Sequence, residues 1–551
     1  MDTKEFLKEH AVYQIYPISF CDSDGDGKGD LKGIVSKLDY IQSLGIRIIW
    51  LSPIYASPMK DFGYDISDYK SVNPLFGTME DFDLLMEETK KRGIRVVMDL
   101  VVNHTSDQHP WFREALKDKN SKYRDYYIFR EGKKDKKGRY LPPNNWTSNF
   151  TGPAWEEVEG EEGMFYLHIF TKQQPDLNWK NSAVLREVED IMRFWMDKGV
   201  YGFRCDVISE IYKTTLEDGN PKAGIGRPIG MEHYLAQEGN HRILKTLRKD
   251  VIDPRGGVLI GECGGNITPE DGRKFLDGEL DTFFEFDYAN CYKNVFSADV
   301  SEKKLKKILI RWQKEVDWNG NYLENHDQRR VFGHYVRGKY ADYGAKMLLV
   351  LLYTLRGTPF IYMGQEYGAH NYPRPLKIRD CQDIVTQNVY RLARSYHVPS
   401  FLASKIAHKY GRDDERAPMA FHSGPGYGFS APGVTPWEPY NPYSSVYNAE
   451  KEEGDGDSIL SFFKKVNLLR EENKVLSYGS ISFDEKDPQK DVLAYERKLG
   501  DRTFVIVLNL SNKKRKIPES VRKEKGKKLL LTNYKEASSF LRPYEALVFL
   551  K

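Results

Sequence analysis

Short runs of apolar, β-branched and aromatic residues recur along the chain, and most of them lead into a longer segment with helical hydrophobic spacing. Eight of these runs are near-continuous, at residues 11–20, 46–54, 94–104, 199–207, 256–264, 281–287, 320–327 and 357–366. Such runs are typical of parallel strands that are buried on both faces. Because strands and helices alternate, the pattern predicts βαβ units of the α/β class, and eight units predict a (β/α)8 TIM barrel.

Two parts of the chain break this alternation. Residues 105–175 contain DKNSKYRDYYIFREGKKDKKGRYLPPNNWTSNFTG, whose content of Gly, Pro, Asn and charge indicates an inserted domain after the third strand. After about residue 475, VLAYERKLGDRTFVIVLNLSN and SFLRPYEALVFL alternate with period two, which predicts a C-terminal antiparallel β domain. We therefore divide the chain into barrel segments at 1–104 and 176–475, the inserted domain at 105–175, and the β domain at 476–551.

Charge and cysteine content exclude several classes of protein. The 83 Lys and Arg residues against 80 Asp and Glu residues give a net charge of +3, and no basic stripe indicates a nucleic-acid partner. No apolar run approaches the roughly 18 residues of a membrane span, and the start MDTKEFLKEHAVY lacks the pattern of a signal peptide. The five cysteines lack C-x-x-C spacing, so neither a disulfide framework nor a zinc site is indicated. We expect a soluble cytoplasmic protein.

The ends of the predicted strands carry the chemistry. In barrels of this kind the catalytic groups lie at the carboxyl ends of the strands. These ends hold three carboxylates, two histidines and an arginine: His104, Arg204, Asp206, Glu262, His326 and Asp327. Charged side chains at the ends of apolar strands are costly to bury without a task. Any one of the six could be a salt-bridged loop residue, but together they indicate an active site.

Five sequence blocks resemble a known family. The conserved regions of the α-amylase clan, glycoside hydrolase family 13, are matched in order and spacing by DLVVNH (99–104), QPDLN (174–178), GFRCDV (202–207), GECG (261–264) and ENHD (324–327). The resemblance covers essentially the whole chain, including the insertion and the terminal β domain. Within the clan, DFGYDISDY, QPDLNW and the valine after Asp206 are most similar to oligo-1,6-glucosidases and dextran glucosidases.

The resemblance implies a role for each strand-end carboxylate. Asp206 would be the nucleophile, Glu262 the acid/base, and Asp327 the group that holds sugar hydroxyls in the transition state. Retaining glycosidases place two carboxyl groups about 5 to 5.5 Å apart, one ionised and one protonated. Arg204 lies two residues before Asp206 on the same strand, so we expect its charge to keep Asp206 ionised. Glu262 requires a raised pKa, from burial and neighbouring carboxylates.

The resemblance also implies a pocket for a terminal glucose. His104 and His326 would be further partners of the sugar hydroxyls, and Asp61 and Tyr64 would hold and stack the ring. Ordinary loop packing is the alternative for Tyr64. Arg330 would pair with Asp61 and narrow the pocket to a dead end.

Val207, beside the nucleophile, suggests which linkage is cleaved. A β-branched side chain is stiff at χ1, so we expect Val207 to exclude the crowded α-1,4 geometry and admit the α-1,6 linkage with its extra methylene. The predicted function is a retaining exo-α-glucosidase that removes non-reducing glucose from isomaltose and isomalto-oligosaccharides. The alternatives are a sucrose isomerase or α-glucosyl transferase with the same site, and a broad α-glucosidase acting on α-1,4 bonds or sucrose. An inactive relative would lack the carboxylates.

Two departures from the family pattern concern the pocket. Arg329 stands where many relatives have proline, which affects the predicted pose of Arg330. Residues 367–450 diverge most, and these loops shape the leaving-group side, so the sequence does not specify the leaving sugar.

The stretch DSDGDGKGD at residues 22–30 requires a separate explanation. An EF-hand is excluded because its twelfth position needs a Glu and is Gly33 here. A phosphatase-type D-x-D-G motif would use Asp22 but leaves the later aspartates unexplained. The third interpretation is a structural Ca²⁺ loop, with Mg²⁺ possible, which the oligo-1,6-glucosidase subfamily carries at this place. Its oxygen ligands would come from Asp22, Asp24, Asp26, the Lys28 carbonyl and Asp30.

Overall fold

The computed structural model describes residues 3–222, 228–265, 267–294, 297–523 and 526–551. Eight short parallel strands form its centre, and each lies inside one of the eight apolar runs of the sequence, except that the seventh begins one residue before its run. In chain order they are Val12–Ile15, Ile48–Leu51, Arg95–Leu100, Gly202–Cys205, Val258–Glu262, Thr282–Phe284, Asn319–Asn321 and Gly357–Tyr362. All but Arg95 of these strand residues are buried, as expected for strands covered on both faces.

The eight strands form one sheet that curves into a barrel. The order across the sheet is sixth, fifth, fourth, third, second, first, eighth and seventh, and every hydrogen-bonded pair is parallel. The sixth and seventh strands, at its two ends, lie against each other and complete the barrel. The register places Arg204 of the fourth strand beside Asp99 of the third and Ile260 of the fifth. The predicted (β/α)8 barrel is therefore confirmed.

Helices cover the outside of the barrel. The main ones are Leu31–Ser36, Leu38–Ser43, Met79–Lys91, Ser182–Asp197, Glu238–Leu247, Pro269–Leu276, Glu302–Glu315, Ala341–Thr354 and Ile459–Glu472. Capping boxes begin two of them, with Thr78 and Asp81 in one and Thr268 and Asp271 in the other. The helix Ala341–Thr354 is buried on nearly all sides because it packs between the barrel and the C-terminal sheet.

A small three-stranded antiparallel sheet lies within the predicted insertion. Its strands are Phe129–Glu131, Met164–Leu167 and Trp155–Glu157, in that spatial order. Trp146, Trp155 and Phe165 form its apolar core together with Met231 and Tyr234, which follow the fourth barrel strand in the chain. The insertion is thus packed against a barrel loop, and it covers one side of the carboxyl ends of the strands.

The chain ends in a five-stranded antiparallel sheet. The strands, in spatial order, are Ser480–Phe483, Val492–Leu499, Arg502–Asn509, Ala546–Leu550 and Lys528–Thr532. One face packs on the barrel, and the other has its own core, which includes Val505, Val507 and Leu547. The predicted antiparallel β domain is confirmed.

The segment after the eighth strand contains an element that the sequence pattern did not predict. Two antiparallel helices, Ile384–Ser395 and Ser400–Tyr410, form a hairpin. An ion pair of 2.7 Å between Arg412 and Asp383 closes the base of this hairpin, and Asp413 accepts hydrogen bonds from the backbone of Gln382 and Asp383. The hairpin therefore stands above the carboxyl ends of the barrel strands.

Two sequence expectations concern membranes and disulfides. Among the described residues, none of the helices combines the length and apolar character that crossing a membrane requires. All five cysteines are buried and unpaired.

Candidate active site

The guanidinium group of Arg204 stands at the centre of the carboxyl ends of the strands. It is almost fully buried and contacts three carboxylates, at 2.6 Å from Asp99, 2.7 Å from Asp206 and 2.7 Å from Glu262. The fourth strand carries Arg204 and leads into Asp206, while the third and fifth strands carry the other two acids. The parallel register brings the three strand ends together, so a single cation serves three negative groups.

The two predicted catalytic carboxyls are adjacent. Asp206 and Glu262 hydrogen-bond to each other as well as to Arg204, so they are too close for the 6.5 to 9.5 Å spacing of inverting glycosidases. Burial raises the pKa of Asp206 well above its usual range, Arg204 opposes that shift, and the charges of Glu262 and Asp99 add to it. Arg204 thus favours the ionised form of Asp206, as predicted, but it is shared among three acids and burial outweighs its effect. A proton shared by the pair satisfies both groups.

Asp99 is a member of this cluster that the strand-end analysis did not select. Its carboxylate accepts hydrogen bonds from Trp50 at 3.0 Å and from the Tyr64 hydroxyl at 3.3 Å, in addition to its contact with Arg204. Burial raises its pKa to about 6 against the opposing charge of Arg204. The sequence signal was available, since Asp99 begins the DLVVNH block.

Val207 has a strained backbone conformation. Its φ of 39° and ψ of 36° lie in the left-handed region, which is unusual for any residue with a Cβ and a genuine outlier for a β-branched one. The backbone N–H of Val207 donates to Glu262 Oε2 at 3.0 Å, and the side chain lines the pocket. The strain therefore fixes the valine beside the two carboxyl groups.

The closed end of the pocket is formed by Asp61, Asp327 and Arg412. The Arg412 guanidinium contacts Asp61 at 3.0 Å and Asp327 at 3.0 Å, and Arg416 contacts the same oxygen of Asp327 at 3.0 Å. Burial alone would raise the pKa of Asp327, but His326 and the two guanidinium groups hold that pKa well below its usual range. Asp327 is therefore an ionised acceptor.

The predicted pairing of Arg330 with Asp61 is wrong. The guanidinium of Arg330 is buried away from the pocket, at 3.2 Å from Glu324 and 2.7 Å from the carbonyl of Met363. Arg412 takes the place beside Asp61 instead. Sequence reasoning missed Arg412 because it lies in the divergent segment 367–450, where only its Arg-Asp-Asp-Glu-Arg context marks it as a charged cluster.

Tyr64 and His104 line the same end, and the fully buried His326 lies behind Tyr64. The Tyr64 ring stacks on His326 with centroids 5.2 Å apart, and its hydroxyl is 2.6 Å from His326 Nε2. Nδ1 of that ring lies 2.8 Å from the amide of Gln14. His104 Nε2 lies 3.0 Å from the Tyr64 carbonyl and 3.0 Å from the Gln174 amide. Burial lowers the pKa of His326 to about 3 and that of His104 to about 4, so both rings are neutral at physiological pH.

The opposite end of the pocket is largely apolar. The cavity measures about 550 Å³, and its leaving-group side is lined by Phe150, Met231, Phe286, Val385, Val389 and Tyr410. The insertion supplies Phe150, the loop after the fourth strand supplies Met231, the loop after the sixth strand supplies Phe286, and the helical hairpin supplies the last three. Four separate elements therefore shape the part of the site that the sequence did not specify.

The aspartate stretch forms a compact loop behind the first barrel strand. Carboxylate oxygens of Asp22, Asp24 and Asp30 lie within 4.8 Å of one another, which suits a divalent cation with oxygen ligands. The carboxylate of Asp26 instead lies 3.5 Å from the ammonium group of Lys28. Gly27, with φ of 88°, permits the tight wrap because a Cβ there would lie 2.2 Å from the carbonyl of Thr435.

Some of the aspartates also have structural partners. Asp22 accepts hydrogen bonds from the N–H groups of Gly25 and Gly27, and Asp30 caps the helix Leu31–Ser36. Asp24 accepts one backbone hydrogen bond, at 3.2 Å, and burial and the charges of its aspartate neighbours raise its pKa. Hydrogen bonds within the loop therefore explain the position of Asp24 less well than those of Asp22 and Asp30.

Two carboxyl groups this close together match the pair that retaining glycoside hydrolases use. The family described as alpha amylase, catalytic domain matches residues 14–479. The chain belongs to this family, glycoside hydrolase family 13.

Several characterised relatives are similar over the full length. The chain is 42% identical to an oligo-1,6-glucosidase of Parageobacillus thermoglucosidasius, over 98% of each protein. It is 40% identical to a glucan 1,6-alpha-glucosidase of Streptococcus pneumoniae, over 91% of this chain and 90% of the relative. Among solved structures, a trehalose-6-phosphate hydrolase of Bacillus licheniformis has a TM-score of 0.90 at 37% identity, with 99% of each chain covered. An isomaltulose synthase of Klebsiella has a TM-score of 0.90 at 34% identity, with 99% of each chain covered.

Proposed function

We propose that this protein is a retaining exo-α-glucosidase that hydrolyses terminal α-1,6-linked glucose from isomaltose and isomalto-oligosaccharides. The observation that carries the proposal is the contact of Asp206 and Glu262 with each other and with Arg204. This spacing suits a nucleophile and an acid/base that act on the same glycosidic bond without room for an intervening water.

In the first step the reactive form of the pair has Asp206 ionised and the proton on Glu262. Asp206 attacks the anomeric carbon, the bond to the leaving oxygen breaks, and Glu262 gives its proton to that oxygen. The product is a covalent glucosyl ester of Asp206. In the second step Glu262, now ionised, removes a proton from water, the water oxygen attacks the anomeric carbon, and Asp206 leaves. Two inversions give net retention.

The closed end of the pocket supports removal of one terminal glucose at a time. Arg412 bridges Asp61 and Asp327, so a chain cannot pass through this end and only a non-reducing terminal ring fits. Ionised Asp327 and neutral His104 and His326 can accept or donate hydrogen bonds to the hydroxyls of that ring.

The α-1,6 preference is supported by Val207 and by the relatives. The strained backbone of Val207 fixes a stiff β-branched side chain beside Asp206, where the second ring of an α-1,4 linkage would be closest. Relatives about 40% identical are named oligo-1,6-glucosidase or glucan 1,6-alpha-glucosidase.

A neutral leaving group is supported by the charges on the lining. Among the described residues that line the pocket, the one cationic side chain is Arg412, which is already paired at the closed end. Among the same described residues, a phosphorylated leaving sugar would find no cationic partner on the opposite side, which is lined by apolar groups, carboxyls and the polar side chains of Asn149 and Thr151. This distinguishes the proposal from the activity named for the Bacillus licheniformis structure.

The test is product analysis with purified protein. Proton NMR of a p-nitrophenyl α-glucoside digest should show α-glucose before mutarotation, and early β-glucose in that digest would contradict retention. Isomaltotriose digests should show glucose and isomaltose as the first two products. Conversion of sucrose into an isomer rather than glucose and fructose would favour the sucrose isomerase alternative.

We also propose that the loop of Asp22, Asp24 and Asp30 holds a structural Ca²⁺, with Mg²⁺ as the alternative ion. Three carboxylate oxygens within 4.8 Å of one another support this assignment, because such a cluster is unfavourable without a cation. The loop does not line the pocket among the described residues, so the ion would stabilise the fold and take no part in the chemistry. A cytoplasmic location is proposed as well, supported by five cysteines that all remain unpaired.

A further inference from the structure

A further carboxyl group lies in the pocket and has no part in the mechanism above. Glu210 ends the short helix Ile208–Glu210, which follows the nucleophile strand. The residue is only 4% exposed, yet it lines the same cavity as Asp206 and Glu262. A buried carboxylate is costly to keep unless it is paired or used.

The fold provides little compensation for this group. The nearest partner is the amide of Asn149, at 3.5 Å from Glu210 Oε2, which is a long hydrogen bond. The neighbouring Lys213 ammonium contacts Asp176 at 2.6 Å, Asn103 at 2.6 Å and the backbone carbonyl of Glu210, rather than its carboxylate. Within the described part of the chain, no cation lies within ion-pair distance of the Glu210 carboxylate.

Glu210 lies on the acid/base side of the pocket. A Cβ built on Gly265, which lies three residues after Glu262 and has φ of 72°, would be 3.2 Å from Glu210 Oε1. The glycine thus leaves room for the carboxyl group beside the loop that follows the acid/base. Because Glu262 protonates the leaving oxygen, the leaving sugar must lie on this side, away from the closed end.

Glu210 is a charged residue among mainly apolar neighbours. The leaving-group side is otherwise lined by aromatic and aliphatic side chains, and Asn149 and Thr151 are the neighbouring polar groups from the insertion. Burial raises the pKa of Glu210 to about 7, with Lys213 opposing and Glu262 adding to the shift. Near neutral pH the carboxyl can therefore act both as a hydrogen-bond donor and as an acceptor, which suits sugar hydroxyls.

We propose that Glu210, with Asn149, binds the hydroxyl groups of the leaving sugar and so determines which leaving group the enzyme accepts. This inference rests on the proposed α-glucosidase function. In this proposal the terminal glucose binds at the closed end. The second sugar is bound by two polar side chains, Glu210 after the fourth strand and Asn149 of the insertion. An apolar aryl leaving group would stack on the same side without needing Glu210.

The experiment compares Glu210→Gln and Glu210→Leu with the wild type on isomaltose and on p-nitrophenyl α-glucoside. Gln keeps donor and acceptor groups of the same size, so it should retain most of the isomaltose activity. Leu removes them, and kcat/KM for isomaltose should fall about 10- to 100-fold through KM, as expected when a hydrogen bond to a buried polar group is lost. The aryl glucoside should lose far less.

Two controls separate binding from folding. Inhibition by glucose, which would occupy the closed end, should be the same in both variants. Substitution of an exposed glutamate that does not line the pocket, Glu238→Leu, should leave both substrates unaffected. If Glu210→Leu lowers kcat/KM by the same factor on both substrates, the inference is overturned. A wild type that cleaves the aryl glucoside but not isomaltose would instead overturn the proposed function.

Discussion

At the scale of single residues, the site depends on one cation that is shared by three acids. Arg204 contacts Asp99, Asp206 and Glu262, and burial and charge repulsion leave a proton on the pair that will react. The proposed mechanism needs that single proton on Glu262 and an ionised Asp206. Neither Arg204 nor Asp99 is among the residues that line the pocket, yet both set the charge of the pair.

Removing one carboxyl at a time should separate the two catalytic roles. Asp206→Asn should lower kcat at least about a thousandfold on every substrate, because no glucosyl ester can form. Glu262→Gln should be nearly as damaging toward isomaltose but milder toward p-nitrophenyl α-glucoside, whose leaving group needs less protonation. Steady-state kinetics on both substrates measure this, with melting temperatures to confirm folding. More than a few per cent of activity in Asp206→Asn, or equal losses for Glu262→Gln, would contradict the assignments.

Val207 should act as the gate for the linkage. Its left-handed backbone and stiff side chain leave it no room to move away from an α-1,4-linked second ring. Val207→Ala removes two methyl groups and should shift the isomaltose-to-maltose ratio of kcat/KM by about 10- to 200-fold, equivalent to about 1 to 3 kcal/mol. The measurement is kcat/KM on both disaccharides for both proteins. A wild type that prefers maltose, or a ratio that does not change, would remove this role.

At the scale of elements, the pocket combines parts of different origin. Barrel strands and the loops after them supply the reacting carboxyls and, in Asp61 and Asp327, part of the closed end, whereas the insertion and the helical hairpin supply much of the leaving-group side. Arg412 joins these parts, because it closes the base of the hairpin on Asp383 and reaches Asp61 and Asp327 in the pocket. The position of the hairpin is thereby linked to the site for the terminal glucose.

Arg412→Lys should show this link. Lysine keeps the charge but not the planar fork, so it cannot contact the three aspartates at once. We expect kcat/KM for isomaltose to fall about 10- to 1000-fold, together with a lower melting temperature, because breaking a buried pair costs about 3 to 5 kcal/mol when it is complete. The matched control is Arg329→Lys, because Arg329 pairs with Asp414 just after the hairpin and donates to the carbonyl of His408 on it, but does not line the pocket. Equal kinetic effects of the two substitutions would contradict a direct role for Arg412.

At the scale of the whole molecule, the sequence predicted the barrel and the reacting groups well. Apolar runs mark strands buried on both faces, and the chemistry lies at strand ends, so Arg204, Asp206 and Glu262 could be placed together from the pattern alone. The hairpin and Arg412 could not, because helix-like periodicity does not tell where a loop segment packs. The predicted pairing of Arg330 with Asp61 was wrong for a related reason. A sequence shows how far apart two residues lie along the chain, but it does not show in which direction a buried side chain points.

The aspartate loop joins distant parts of the molecule. Its proposed ion would connect the segment after the first barrel strand to residues 427–436, which pack over it. Ser430 and the Phe429 carbonyl contact Asp22, so the loop links residues about 400 positions apart.

If Ca²⁺ binds, excess EDTA should lower the melting temperature. An ion present at 100 times its Kd adds about 2.7 kcal/mol to the free energy of unfolding, and chelation removes that contribution. Turnover at low temperature just after chelation should be unchanged. Asp24→Ala is the sharpest variant, because it removes the side-chain oxygens, whereas an Asn carbonyl would still be a ligand for Ca²⁺, and because Asp22 and Asp30 also hold the loop by hydrogen bonds. That variant should melt at the chelated temperature with or without Ca²⁺. A wild-type melting curve that does not respond to EDTA or Ca²⁺ would exclude a structural ion, and immediate loss of turnover with an unchanged melting curve would indicate a catalytic one.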